Sequence, residues 1–223
     1  MFQEHTETRH ASTNPNVRSA EVDTVVKRQA GPRFFLWVDA VGGYLVCLGD
    51  EVMLGQAVPG TGVEVPILAD LSRRHAKIIR DGEGYVVESY STIHVNGKRI
   101  HDRALLRDGD EIELGRGVRL LFHKPHALSA TARLDFASRH RTQPAADGIL
   151  LMAESCVLGP RRQNHIVCRE WMDDVILFRH GSELCCRSSG ALEIDEQPYD
   201  GRGRITHNSR VTGDDFALSL EGM

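Results

Sequence analysis

Residues 71–80 read LSRRHAKIIR, and residues 85–89 read YVVES after the turn sequence DGEG. Both runs are strand-length, and an Asp-Gly pair between two such runs is typical of a tight hairpin. Further short apolar runs flank this stretch, with turn sequences at Asn96-Gly97 and Asp108-Gly109. Strands of this length separated by such turns indicate an antiparallel β-sandwich or barrel. No part of this region shows the period of an amphipathic helix.

The composition limits the class of protein. The chain has 223 residues, of which 41% are hydrophobic and 26% charged, and its formal net charge is −4. This is ordinary for a globular protein, and the length suits two domains of about 100 residues each. The negative charge argues against nucleic-acid binding, and no apolar run approaches the ~20 residues of a membrane helix. Since the first residues are too polar for a signal peptide, we expect a cytoplasmic protein.

Metal and cofactor motifs are missing from the sequence. The five cysteines are odd in number and irregularly spaced, with no CxxC pair, which argues against a disulfide framework. Gly115-Arg116-Gly117 could suggest a phosphate loop, but no helical pattern follows it, so it is interpreted as a hairpin turn. We predict neither a metal site nor a cofactor.

The strand pattern returns after a connector, and the second half echoes the first. Five segments correspond in order: 43–46 with 148–151, 52–55 with 156–159, 78–82 with 177–181, 93–96 with 192–195, and 109–112 with 213–216. The second and fifth pairs are offset by 104 residues and the third and fourth by 99. Such offsets predict two copies of one fold that differ in loop length.

The predicted organisation has four parts. Residues 1–30 are a disordered tail, 31–124 a first β-sandwich, 125–146 a connector, and 147–223 a second β-sandwich. Within the connector, residues 130–136 alternate with period two, which favours an extended segment docked on a neighbouring sheet. Residues 138–146 are interpreted as linker.

Three motifs together carry a resemblance to a known family. They are LSRRHAKI at 71–78, VNGKRI at 95–100 and LRDGDEIELG at 106–115. In order, separation and strand–turn context they resemble the forkhead-associated (FHA) domain, over roughly residues 33–124. The resemblance implies an eleven-strand β-sandwich that reads phosphothreonine peptides with the loops at one end. The predicted fold class is therefore all-β, with two tandem FHA-like antiparallel sandwiches, the second degenerate.

The resemblance also implies roles for single residues. Ser72 matches the serine that donates its hydroxyl to the phosphate, and Thr92 matches a threonine on the neighbouring loop. His75 matches the histidine that braces the loop instead of touching the ligand. Arg73 and Arg74 lie beside Ser72 and supply positive charge, which strengthens hydrogen bonds to phosphate.

Two departures from the family pattern concern the phosphate. Gln56 stands where the family has an arginine that grips the phosphate; it can donate a hydrogen bond but has no charge. Ser91-Thr92 runs directly into a strand, so the Asn-Gly pair that usually follows is missing, and Asn96-Gly97 is assigned to a structural loop. Two such losses weaken phosphopeptide binding by about 100-fold unless Arg73 or Arg74 compensates.

In the second copy the offset of 99 places Trp171 at the position of Ser72 and Asp174 at that of His75. The carboxylates Asp173 and Asp174 would repel a phosphate. We expect this copy to be structural or to bind something else.

The functional prediction is a protein–protein interaction module whose first domain recognises phosphothreonine-containing partners, the substrates of a threonine kinase. The alternative is a phospho-independent scaffold made of two packed degenerate domains. Ser72 and His75 could be imagined as nucleophile and base, but no orienting acid or oxyanion hole accompanies them. We therefore predict no enzymatic activity and no catalytic residue.

Overall fold

The structure, a computed structural model, describes residues 30–126 and 128–223, and the regular elements in these ranges are all β-strands. The prediction of an all-β fold is confirmed. The predicted disordered tail, residues 1–30, lies outside the described residues except for Ala30. In the described part of the chain, no helix is long and apolar enough to cross a lipid bilayer.

The strands follow one another with short connections. They are β1 (Arg33–Val38), β2 (Gly42–Cys47), β3 (Glu51–Gln56), β4 (Val65–Ile67), β5 (Ala76–Asp81), β6 (Gly84–Ser89), β7 (Ile93–Val95), β8 (Lys98–Ile100), β9 (Arg103–Leu106), β10 (Glu111–Leu114), β11 (Val118–His123), β12 (Ala132–Phe136), β13 (Gly148–Leu151), β14 (Ser155–Gly159), β15 (Ile166–Val167), β16 (Val175–His180), β17 (Glu183–Arg187), β18 (Leu192–Ile194), β19 (Gln197–Tyr199), β20 (Arg202–Ile205), β21 (Arg210–Thr212) and β22 (Ala217–Gly222).

Three sheets contain these strands. Two five-stranded sheets have the orders β4-β3-β5-β6-β9 and β15-β14-β16-β17-β20. One twelve-stranded sheet has the order β19-β18-β21-β22-β1-β2-β13-β12-β11-β10-β7-β8. In both small sheets the first two strands named pair in parallel and the pairing then becomes antiparallel. The strand order of the first half is thus repeated in the second half.

The first sandwich is built from one continuous stretch, β3 to β13. Its small sheet packs on the half of the large sheet that runs from β13 to β8, and Phe35, Leu45 and Cys47 of β1 and β2 also reach its core. The inward residues follow the period of two expected of strands with one buried face, as with Ala76 and Ile78 in β5 and Ile112 and Leu114 in β10.

The second sandwich is interrupted in sequence. It consists of β14 to β22 together with β1 and β2, because β1 pairs with β22 and β2 lies beyond β1. Hairpin β1–β2 therefore has the position in the second sandwich that β12–β13 has in the first. The first sandwich is an insertion between β2 and β14 of the second.

The two sandwiches meet where β2 pairs in parallel with β13, with Leu45 opposite Ile149. The strands at this junction are covered on both faces. In β13, Ile149 and Leu151 pack into the core of the first sandwich, whereas Leu150 and the following Met152 pack into that of the second. Strands buried on both faces have continuous apolar sequences, which explains the run GILLM at residues 148–152.

Polar contacts join the two sandwiches at the same place. The Arg133 guanidinium donates to the His165 carbonyl at 2.6 Å, and the Thr131 hydroxyl donates to the Ser155 carbonyl at 2.6 Å. Burial lowers the pKa of His165 to about 4, with His126 and Arg133 adding to the effect. The His165 ring accepts the Val157 N–H at Nδ1 (2.9 Å), which is consistent with a neutral imidazole.

The predicted domain boundaries stay a prediction. Strand pairing joins segments on opposite sides of these boundaries, since β1 pairs with β22 and β13 pairs with β12. The predicted extended segment 130–136 contains β12, which pairs with β11 as an integral strand. The predicted linker 138–146 packs on β4, since the Gln143 N–H donates to the Pro66 carbonyl at 2.9 Å and Thr142 is fully buried.

One proposed sequence echo is wrong. Ile112 lies opposite Val95 and Val211 lies opposite Ile194, so the offset of 99 continues through β21. Residues 213–216 instead lie between β21 and β22, in the place of the turn between β10 and β11. Their Gly-Asp-Asp sequence resembles residues 109–111 only because both are turn sequences.

Candidate functional site

The loop between β4 and β5, which carries Ser72, is held close to the end of β3. The Gln56 N–H donates to the Ser72 carbonyl at 3.1 Å, and the His75 N–H donates to the Leu54 carbonyl at 2.8 Å. A Cβ atom on Gly55 would lie 2.1 Å from the Arg73 carbonyl oxygen, a distance that no side chain tolerates. Glycine at position 55 is therefore what allows the loop to approach β3.

His75 links this loop to two others. Its side chain is only 3% exposed, and Nδ1 accepts the Ser72 N–H at 3.2 Å. Because Nδ1 is an acceptor, the proton of the neutral ring lies on Nε2, which donates to the Thr92 carbonyl at 2.9 Å. The same carbonyl accepts the Gly115 N–H at 3.0 Å. One buried ring and one carbonyl thus hold three loops in a fixed arrangement.

The loop between β6 and β7 is fixed from the backbone. The N–H groups of Tyr90 and Ser91 both donate to the His75 carbonyl, at 3.1 and 3.0 Å, and the Ser89 hydroxyl donates to the Ser91 carbonyl at 2.8 Å. Thr92 follows with an exposed side chain. Its position is set by these contacts although no Asn-Gly pair follows it.

The three loops surround an open cleft of about 690 Å³. Ser72 and Thr92, both exposed, lie on its lining. The remaining lining residues are Ala69, Asp70, Leu71, His75, Ser91, Gly115, Arg116, Val118 and His140. The cleft is therefore lined by several hydroxyl groups, one arginine and one carboxylate. Hydroxyl and guanidinium donors on a rigid frame suit an oxyanion.

The other predicted phosphate-binding residues do not line this cleft. Among the described residues, the lining of the cleft does not include Gln56, Arg73 or Arg74. Arg73 is exposed beside it, and Arg74 is half-buried. The structure thus brings Ser72 and Thr92 together and leaves the predicted charged contacts outside.

Asn96 and Gly97 form the turn between β7 and β8, at the other end of β7 from Thr92. Their φ values are 51° and 75°, in the left-handed region that Asn and Gly tolerate best. The Asn96 amide donates to Asp110 at 2.8 Å and accepts the Glu111 N–H at 2.9 Å. Asn96-Gly97 therefore stabilises the turn and lies away from the cleft.

Sequence reasoning missed Arg116 and His140. Arg116 lies at the tip of the turn between β10 and β11, which was interpreted as a plain hairpin turn. An arginine between two glycines, directly after the third family motif at 106–115, was the available signal. His140 lies in the predicted linker between β12 and β13. It reaches the cleft only because these two strands belong to the first sandwich.

The corresponding end of the second sandwich has different chemistry. Trp171 is 6% exposed and packs on Phe216 with 5.3 Å between ring centroids. Asp174 accepts the Asn164 amide at 2.7 Å and lies 3.7 Å from Arg161. A cleft of about 630 Å³ lies here, and its charged lining residues are Asp39, Arg169, Glu170, Asp214 and Asp215. An aromatic and mainly acidic cleft is unsuited to phosphate, in line with the expectation for the second copy.

Comparisons with known proteins identify the family. A model of the FHA domain matches residues 54–115, which contain all three motifs. No curated protein matches the chain.

Several solved structures are similar, but the overlays are weak. They include the second FHA domain of an ABC transporter from Mycobacterium tuberculosis, with 18% identity over 62% of this chain and 98% of that one (TM-score 0.31). EmbR from M. tuberculosis, in complex with a low-affinity phosphopeptide, is 27% identical over 38% of this chain and 23% of that one (TM-score 0.29). The FHA domain of the CT664 protein from Chlamydia trachomatis is 27% identical over 37% of this chain and 89% of that one (TM-score 0.28).

The family assignment therefore rests on the sequence match, and the all-β strand pattern agrees with it. Residues 54–115 belong to the forkhead-associated family, and the chain is a protein that contains an FHA domain.

Proposed function

We propose that the chain is a protein–protein interaction module whose first sandwich binds a phosphothreonine-containing segment of a partner protein. The observation that carries the proposal is the presentation of Ser72 and Thr92 on one open cleft by a buried hydrogen-bonded frame around His75. The FHA family, to which residues 54–115 belong, is the phosphothreonine-reading family that the motifs resemble.

The frame matters because affinity for phosphate depends on donors that are fixed before the ligand arrives. Ordering a loop on binding costs conformational entropy, which a preorganised site avoids. Here the backbone of both hydroxyl-bearing loops is fixed through the His75 carbonyl and ring. The hydroxyls themselves are exposed and free to rotate toward a ligand oxygen.

The geometry also argues against catalysis by the pair of Ser72 and His75. A general base must accept the proton of the nucleophile through a free ring nitrogen. Both nitrogens of His75 are occupied by backbone groups, the Ser72 N–H and the Thr92 carbonyl. FHA domains are non-catalytic interaction modules, and we propose the same for this protein.

A second candidate function is a phospho-independent scaffold. The specific observation in its favour is the twelve-stranded sheet, which makes the two sandwiches one unit with shared strands. Such a unit would present fixed surfaces to a partner whether or not that partner is phosphorylated.

A binding titration on the full chain separates the two functions. A phosphothreonine peptide library and its unphosphorylated twin are compared by fluorescence anisotropy. Phosphothreonine reading predicts a preference for the phosphorylated library that Ser72→Ala and Thr92→Ala each reduce by about tenfold or more. Ser182→Ala, on the exposed loop between β16 and β17 of the second sandwich, is the matched control and should leave the preference intact. Equal binding of the twins would favour the scaffold.

A further inference from the structure

We infer that Arg116, at the tip of the turn between β10 and β11, supplies the positive charge that holds the phosphate in the cleft of the first sandwich. This inference rests on the proposed function. A phosphothreonine carries close to two negative charges at neutral pH, so hydroxyl donors alone leave most of that charge uncompensated. Position 56, where the family has its arginine, holds the uncharged Gln56, which lies outside the cleft lining.

Arg116 is the one arginine on the lining of the cleft, among the residues that the structure describes. Its side chain is exposed, and none of the ion pairs between described residues involves it. Arg119, three residues further on β11, lies 3.7 Å from Glu111. The Arg116 guanidinium is therefore available to a ligand, whereas that of its neighbour is already next to a carboxylate.

The position of Arg116 is fixed by the same contacts that fix Thr92. The preceding Gly115 donates its N–H to the Thr92 carbonyl, the oxygen that also accepts the proton of His75 Nε2. Gly115 has φ +58° and Gly117 has φ +100°, so the chain makes a tight turn with Arg116 between them. A Cβ on Gly115 would lie 3.1 Å from Leu71 Cδ2, which shows how closely this turn packs on the loop that carries Ser72.

His140 adds a second potential cation on the same lining. Its ring lies 2.9 Å from the Ser138 hydroxyl, and it belongs to the segment between β12 and β13. The anion site is thus assembled from the loop of Ser72, the loop of Thr92, the turn of Arg116 and the segment between β12 and β13. A segment outside residues 54–115, the part that fits the family, contributes to it.

Arg73 and Arg74 are the competing sources of charge. They are close to Ser72 in sequence, but neither lines the cleft, and Arg74 is half-buried. Proximity to Ser72 in sequence therefore does not bring either guanidinium to the lining of the cleft. The structure therefore assigns the charge to Arg116.

The test uses the full chain, a phosphothreonine peptide chosen from the library and its unphosphorylated twin. The variants are Arg116→Ala and Arg116→Lys, with Arg119→Ala as the matched single-charge control and Arg73→Ala as the variant of the competing charge. Loss of a charge-assisted contact predicts a phosphopeptide affinity about 10- to 100-fold lower for Arg116→Ala, with Arg116→Lys intermediate. Arg119→Ala should stay within about twofold of the wild-type affinity, and Arg73→Ala should lose less affinity than Arg116→Ala.

A second readout separates a phosphate contact from a structural effect. The phosphopeptide affinity of the wild type should fall with salt, and this dependence should be weaker in Arg116→Ala, because one screened ionic contact is gone. Affinity for the unphosphorylated twin and the melting temperature should not change. The inference is overturned if Arg116→Ala retains the wild-type phosphate preference, or if Arg73→Ala loses as much affinity as Arg116→Ala. A wild type that binds both twins equally instead refutes the proposed function.

Discussion

Two fragments test the insertion of one sandwich into the other. Residues 31–124 are the first domain as the sequence divides it, whereas residues 49–153 hold β3 to β13, the complete first sandwich. Fragment 31–124 lacks Leu134, Ile149 and Leu151, each of which is at most 2% exposed in the core of that sandwich. We predict that 49–153 is the more stable fragment, because it keeps all strands of the first sandwich, whereas 31–124 keeps the hairpin β1–β2 in place of β12–β13.

The stability that fragment 31–124 loses can be estimated from its missing buried side chains. Burying one leucine or isoleucine stabilises a fold by about 1.5–3 kcal/mol, so the three residues together contribute roughly 5–9 kcal/mol. The total stability of a domain is about 5–15 kcal/mol, so a loss of this size is a large part of it. Fragment 49–153 loses Phe35, Leu45 and Cys47 from the same core, but it keeps the pairing of β12 with β11 and with β13. Fragment 31–124 also leaves the Tyr85 hydroxyl without the Ala130 and Leu151 carbonyls that accept from it at 2.6 and 3.2 Å. An unpaired buried hydroxyl adds a further cost of about 1–3 kcal/mol.

Urea denaturation followed by far-UV circular dichroism, with amide NMR dispersion as a check, measures both fragments beside the full chain. Fragment 49–153 exposes Leu150, which packs on the second core in the full chain, so Leu150→Thr is included to limit aggregation. The expected result is a cooperative transition of 49–153 at a higher urea midpoint than any transition of 31–124. A cooperative transition of 31–124 with a midpoint at or above that of 49–153 would refute the strand assignment.

Three further predictions concern single residues. Gly55→Ala forces a Cβ into the Arg73 carbonyl, so we expect a loss of about 1–3 kcal/mol in the free energy of unfolding, together with weaker phosphopeptide binding, measured by denaturation and titration. His75→Ala leaves the Ser72 N–H without an acceptor and removes one of the donors to the Thr92 carbonyl. It should lower the phosphopeptide affinity more than it lowers the free energy of unfolding, and an unchanged affinity would contradict the bracing role. Because burial lowers the pKa of His165 to about 4, the unfolded chain takes up a proton that the folded chain does not. The free energy of unfolding should therefore fall between about pH 6.5 and pH 4, by at most about 1.4 kcal/mol per pH unit, and less steeply in His165→Asn.

Local features of the fold follow from the sequence because they depend on neighbouring residues. Hairpin turns, strand lengths and the loop around Ser72 and His75 are specified by residues within about ten positions of one another. The bracing role of His75 comes instead from the family resemblance, and the two backbone contacts of its ring support it.

The sequence does not predict in this way that hairpin β1–β2 belongs to the second sandwich and β12–β13 to the first. Residues 34–38 and 148–152 are apolar on both faces, so neither run has an alternation that tells which sandwich it completes. The two copies also have the same strand order, so the order of the strands does not assign either run to one sandwich. The choice depends on connections and packing across the whole molecule.

The composition of the cleft was only partly predictable for a related reason. Ser72 and Thr92 belong to a recognisable motif, whereas Arg116 lies in a sequence that suits any hairpin turn. His140 reaches the cleft only because β12 and β13 complete the first sandwich. The charge of the site therefore depends on topology as well as on motif.

The most direct test of phosphothreonine recognition is amide NMR of the ¹⁵N-labelled full chain during addition of a phosphothreonine peptide. The account predicts that the largest shift changes occur at Ser72, Thr92, Gly115 and Arg116, and that the unphosphorylated peptide leaves these amides in place. Equal changes with both peptides, or changes confined to the second sandwich, would contradict it.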